Sequence, residues 1–131
     1  MAGLLLLSMI FCHVIADYNL QGILAQMKQK EWWEKNYPDF KYKNDYKTAL
    51  ALHSFSWAFL IEMPLYIYSL VINPVASLVI LNILMIVNTI VHYITDNRKA
   101  NKHILNLEDD QKVHLIQVII TYLIFTLTFG G

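Results

Sequence analysis

Three His/Asp pairs separated by four positions recur in this chain of 131 residues: His13 with Asp17, His92 with Asp96, and Asp110 with His114. On an α-helix that spacing leaves the two side chains about 40° apart on one face. Neutral imidazole and carboxylate so placed suit zinc, iron or manganese. His53 adds a fourth histidine, near the start of another apolar run. Ionisable groups inside apolar segments are costly in a membrane, so they are expected to face a protein interior and to act there.

The elements that must position these residues follow from composition. Hydrophobic residues make up 56% of the chain and the mean hydropathy is +0.41, as in a membrane protein. Ten acids cancel ten bases, which removes the electrostatic case for nucleic acid and leaves membrane lipids as the expected partners. Cys12 is the single cysteine and excludes an internal disulfide; its simplest role is a small buried side chain. The expected fold is one all-α integral membrane domain over residues 1–131, a four-transmembrane-helix bundle with spans near 3–23, 48–71, 75–95 and 111–129. No basic residue precedes the apolar run Leu4 to Ile15, which therefore reads as a retained span rather than a secretory signal. Asn73-Pro74 marks a tight turn between the second and third spans. Residues 27–47 form an interfacial loop rich in lysine and aromatic rings, including Trp32, Trp33, Tyr37 and Tyr42, with Pro38 opposing one unbroken helix.

All ten Lys and Arg residues fall in the two connections on one side: six in the first loop, then Arg98, Lys99, Lys102 and Lys112. Both connections are then cytoplasmic, and both termini lie on the other side. That topology brings His13, Asp17, His53, His92, Asp96, Asp110 and His114 into one slab at the cytoplasmic end of the bundle, where facing helices can project ligands inward. Seven ligands exceed one tetrahedral site. Either two ions bind, or one ion binds and Asp residues orient its histidines through the other ring nitrogen. Gln21, Asn88 and Gln111 are candidate outer hydrogen-bond partners. Asp110 could be a ligand, a general base, or, like Glu108 and Asp109, an acid at a helix N-terminus. Arg98 and Lys99 could steady an anionic head group, although positive-inside anchoring also accounts for them. His103, beside Lys102, is expected in solvent. Glu62 stands nine residues beyond His53, about 180° around the helix, and is excluded from the cluster; beside Pro64, it is expected to bond a freed carbonyl.

The order His13-x3-Asp17-Tyr18 with Leu20-Gln21, Leu52-His53-Ser54, His92-x3-Asp96-x2-Lys99 and Asp110-Gln111-x2-His114 resembles small bacterial and phage membrane proteins of the family called domain of unknown function number 3307. The likeness covers nearly the whole chain. More distantly, the pattern resembles the LexA-regulated membrane-bound metal-dependent hydrolases, which also place His and Asp in apolar helices. The nearer resemblance implies a multi-pass protein of the bacterial inner membrane and these site residues, but no assigned reaction; the more distant one implies a hydrolytic activity, expected on a lipid, lipid-linked or other amphiphilic ester or phosphoester. The cofactor would be one or two divalent ions, zinc before iron or manganese. Two other classes stay open: a proton- or ion-conducting protein, transporter or small phage membrane effector using the same layer, and a haem-binding electron-transfer bundle with paired histidines. A homo-oligomer is compatible with either, since a second copy could supply cavity walls.

Overall fold

The chain's apolar runs and their polar interruptions become helices and their breaks. The computed structural model describes residues 2–72 and 74–129 and is all-helical, 86% helix, with no strand among the described residues. Helix α1 (Ala2–Val14) runs into a π-helical turn, Ile15–Asn19, where the Leu20 N–H donates to the Ile15 carbonyl five residues back at 2.9 Å. Two short helices follow, α2 (Leu24–Met27) and α3 (Lys30–Asn36), then a 3-10 turn at Phe40–Tyr42. The long helices are α4 (Asp45–Ile72), α5 (Pro74–Ala100) and α6 (Leu107–Phe129).

Three helical stretches are long and apolar enough to cross a membrane: Phe40–Ile72, Val75–Ala100 and Leu107–Phe129. The first apolar stretch is shorter than expected. It covers Gly3–Asn19, roughly 25 Å at 1.5 Å per residue against a hydrocarbon core of about 30 Å. The expected extension to residue 23 fails because the π-turn ends at Asn19 and Gly22 adopts a left-handed φ of 50°, which turns the chain. The other helices outrun their apolar segments: α4 starts at Asp45, α5 continues past Asp96 to Ala100, and α6 starts at Leu107. The expected turn at Asn73 lies outside the described residues.

Helix α4 packs against α1 and α5, and α6 packs against the same two helices. The core is built from Met9, Trp57, Ile61, Leu65, Leu81, Val118 and Phe125. Two neighbouring stripes of α4 are buried, one through His53, Trp57, Ile61 and Leu65, the other through Ser54, Ala58 and Glu62. This double burial lets α4 serve two partners. Outward-facing Ile86, Ile90 and Ile94 on α5, and Ile116 and Ile120 on α6, leave apolar surface exposed, as a lipid-covered helix requires.

The polar connections are pinned at specific points. Asn101, just beyond α5, donates from Nδ2 to the Lys28 carbonyl at 3.0 Å and accepts the Lys30 N–H on Oδ1 at 2.6 Å. One side-chain amide thus clamps the backbone on both sides of Gln29. Trp33 donates to the Met27 carbonyl at 2.6 Å and stacks with Tyr42; α3 ends at Asn36, before Pro38. His103, at φ 53°, turns the chain out of α5. Asn106 then accepts the Asp109 N–H at 2.8 Å and caps α6.

Candidate metal centre

Four helical segments each contribute to one buried cluster. The α1 segment with its π-turn supplies His13 and Asp17, α4 supplies His53, α5 supplies His92 and Asp96, and α6 supplies Asp110 and His114. None of the seven side chains is more than 5% exposed. Asp96 is central: its Oδ2 lies 3.2 Å from His53 Nε2, and its Oδ1 lies 3.5 Å from His114 Nε2 and 3.6 Å from His92 Nε2. The Nε2 atoms of His53 and His92 face each other at 3.1 Å.

These separations can be weighed against two standards. Hydrogen bonds from N–H to oxygen fall near 2.7–3.2 Å, whereas bonds of about 2.0–2.1 Å to a tetrahedral ion set its ligand atoms about 3.3 Å apart. The cluster brackets the second value. Asp96 Oδ1, Asp110 Oδ1, His92 Nδ1 and both ring nitrogens of His114 also lack hydrogen-bond partners among the described residues. Such buried orphans are uncommon and require an explanation. Ligand atoms of His92, Asp96 and His114, and of Asp17, His53 and His92, lie within 4.8 Å of one another. These buried groups could hold a metal ion, and the donor chemistry fits one.

His13 is separated from that set by its hydrogen bond. Trp57 Nε1 lies 3.0 Å from His13 Nδ1; an indole N–H can only donate, so it takes the Nδ1 lone pair, and the neutral ring carries its proton on Nε2. His13 therefore binds metal only if Trp57 releases it, although its position beside Asp17 and His114 is geometrically suitable. Trp57 also stacks on His92 at 4.2 Å between centroids, and His92 stacks on His114 at 4.1 Å. This column fixes the ring planes. Trp57, four residues after His53 on the same face of α4, was legible as a neighbour of the site from spacing alone.

The carboxylates differ in their partners. Asp17 Oδ2 accepts from Gln111 Nε2 at 2.6 Å and lies 3.7 Å from His114 Nδ1, the ring nitrogen opposite the one facing Asp96. Gln21 Nε2 bonds the Asp17 carbonyl and approaches its Oδ1 at 3.3 Å. Gln21 and Gln111 thus both bond Asp17, whose Oδ1 lies 3.5 Å from His53 Nε2 and which is itself among the groups that could hold an ion. Asp110 is fully buried and pairs through Oδ2 with Lys99 at 2.6 Å; the cap of α6 is Asn106 instead. Lys28, from the first loop, reaches Asp96 Oδ2 at 2.6 Å with a buried side chain. Its place in the cluster was not visible among six loop lysines. Arg98 is exposed, and exposed His103 lies 3.3 Å from Glu31.

Asn88 does not support the cluster as expected. Its Nδ2 donates to Glu62 Oε1 at 2.8 Å and approaches Thr121 Oγ1 at 2.7 Å, while Gln117 Nε2 donates to its Oδ1 at 3.2 Å. Glu62 accordingly bonds Asn88 rather than a carbonyl freed by Pro64. A second buried polar network thus lies one turn of α5 before His92. At the cluster itself, a cavity of about 360 Å3 opens beside Asp96, lined by Gln21, Lys28, Gln29, Lys99 and His103.

Compared with known proteins, the chain matches no family model, no curated protein and no solved structure. Fold and site define a class by themselves: an all-helical protein with three helices long and apolar enough to cross a membrane, and a buried His/Asp cluster able to hold a metal ion.

Proposed function

We propose that the chain is a four-span protein of the bacterial inner membrane and a metal-dependent hydrolase. Its site would lie at the cytoplasmic end, with both termini on the opposite side, and its substrate would be a lipid, lipid-linked or other amphiphilic ester or phosphoester. The observation that carries this reading is the spacing of the Nε2 atoms of His53, His92 and His114 about Asp96, with separations near those of ligands around one ion. The confinement of all Lys and Arg to two connections supports the orientation. Hydrolysis rests on the more distant of the two sequence resemblances, that to membrane-bound metal-dependent hydrolases.

His53, His92, His114 and Asp96 would hold the ion, zinc before iron or manganese, and Asp17, 3.5 Å from His53 Nε2 and 3.7 Å from His114 Nδ1, would add its negative charge beside them. A bound ion of this kind brings the pKa of a coordinated water toward 7 and polarises a scissile group. Asp110, anchored to Lys99 with Oδ1 free, is the candidate general base. The cavity beside Asp96 gives the access that a purely structural site lacks. Elemental analysis tests the reading: one equivalent of metal is expected in protein purified without chelator, and loss of it in a folded His92→Ala, Asp96→Ala double variant. No metal in the unmodified protein after reconstitution with zinc, iron and manganese refutes it.

The network around Glu62 favours a second reading, in which buried polar groups relay protons or ions. Proteoliposome flux that disappears in Glu62→Gln would establish that reading over hydrolysis. The haem alternative has less support, since histidine rings stacked at 4.1 Å leave no slot for a porphyrin between them.

A further inference from the structure

Lys28 and Lys99 approach the cluster from different elements, and each gives one hydrogen bond to a carboxylate, Lys28 to Asp96 and Lys99 to Asp110, both at 2.6 Å. An ammonium has three protons, so each lysine retains donors for another acceptor. Both line the cavity of about 360 Å3 beside Asp96. Gln21, Gln29 and His103 complete the polar rim, engaged with Asp17, the Ala25 carbonyl and Glu31 in turn, and the one acid that lines it, Asp96, is already bonded to Lys28, so the two lysines are its principal donors.

Charge counting gives the sign of the missing partner. With neutral histidines, the three carboxylates Asp17, Asp96 and Asp110 exceed the two lysines by one negative charge. A divalent ion reverses that excess to one positive charge. Uncompensated charge in a buried site is costly, so the loaded site calls for an anion. We propose that this cavity binds a phosphoryl group, held by Lys28, Lys99 and the ion; the proposal rests on the metal reading above. A phosphoryl group has enough oxygens to meet both lysines and a metal at once, which a carboxylate does not. The volume lies at the lower end of the range of about 300–1,000 Å3 for small-molecule sites. The cavity's two lysines suit a phosphorylated head group.

The test loads detergent-purified protein with zinc, measures the zinc bound, and then titrates inorganic phosphate, glycerol 3-phosphate and dihexanoyl phosphatidic acid at constant ionic strength. Binding of phosphoryl ligands is expected only in the loaded protein. Lys28→Gln and Lys99→Gln should each weaken it by at least about tenfold, as loss of a charge-assisted bond implies, while zinc affinity stays the same or rises because a competing cation has left the carboxylate. Phosphatidic acid binding more tightly than glycerol 3-phosphate would identify a lipid head group as the source of the phosphoryl group; equal binding would identify a soluble phosphate. Lys99 is 31% exposed and its variant should fold even where Lys28→Gln does not. Zinc bound without phosphoryl binding, or phosphoryl binding unchanged in Lys99→Gln, overturns this proposal and leaves the metal reading intact. Failure to bind zinc overturns both.

Discussion

His13 and His92 are equally conspicuous in the sequence and equally buried, yet they should respond differently to removal. His92 presents Nε2 toward Asp96 and His53, and no indole occupies its lone pair. His13 has given its Nδ1 lone pair to Trp57 at 3.0 Å. Structural zinc binding free energies of about 10–16 kcal/mol, divided over four ligands, come to about 2.5–4 kcal/mol each. His92→Ala should therefore weaken zinc binding by about two to three orders of magnitude. His13→Ala should change zinc affinity by less than about tenfold, the lower end of the range for outer partners, but should destabilise the protein by about 1–3 kcal/mol by orphaning the Trp57 N–H. Competition against a chromophoric chelator measures the first quantity, and thermal unfolding of metal-free protein in detergent measures the second. A His13→Ala protein that loses zinc as completely as His92→Ala would refute the assignment of the lone pair and return His13 to the ligand set.

Other perturbations test the supporting structure. Replacing the clamp in Asn101→Leu should free the backbone at Lys28 and Lys30, seen as faster amide exchange there while the middle of α5 is unchanged; equal exchange would mean the clamp holds nothing. Asn106→Ala should cost about 1 kcal/mol through loss of the α6 cap, measured by thermal unfolding; no change would assign the cap elsewhere. Glu62→Gln keeps an acceptor for Asn88 and should unfold close to the parent temperature, whereas Glu62→Leu should lose about 1–3 kcal/mol. Equal loss in both would mean that the network depends on the charge of Glu62 and not on its hydrogen bond.

The gathering of seven residues spread between positions 13 and 114 was readable because it needs only spacing within helices and the alternation of direction between apolar runs. Asp110 shows where that reasoning thins: next to a helix start, an acid serves a dipole or a site equally well, and only the packing of α6 against α5 and α1 buries it beside His114. Lys28 was illegible for a different reason. A loop lysine among six has no periodicity to betray it, and its position depends on Asn101, more than seventy residues away. The turn of α1 into a π-helix likewise leaves little trace in sequence, because the change in register follows from packing. Asn88 was placed correctly on the stripe with His92 and Asp96, but a stripe on one helix does not reveal which neighbour each residue meets, and Asn88 meets Glu62.

The contact between α1 and α6 has a consequence for how the site comes into being. Asp17 meets Gln111 and His114 only where the first of the described helices touches the last. Loop closure over such a distance brings no reward until both ends are present. During synthesis the cluster therefore has no existence until α6 has been made and has docked. Metal uptake would then be a late event, reporting that every long helix has found its neighbour, and the ion would fasten α4, α5 and α6 together as its ligands close around it.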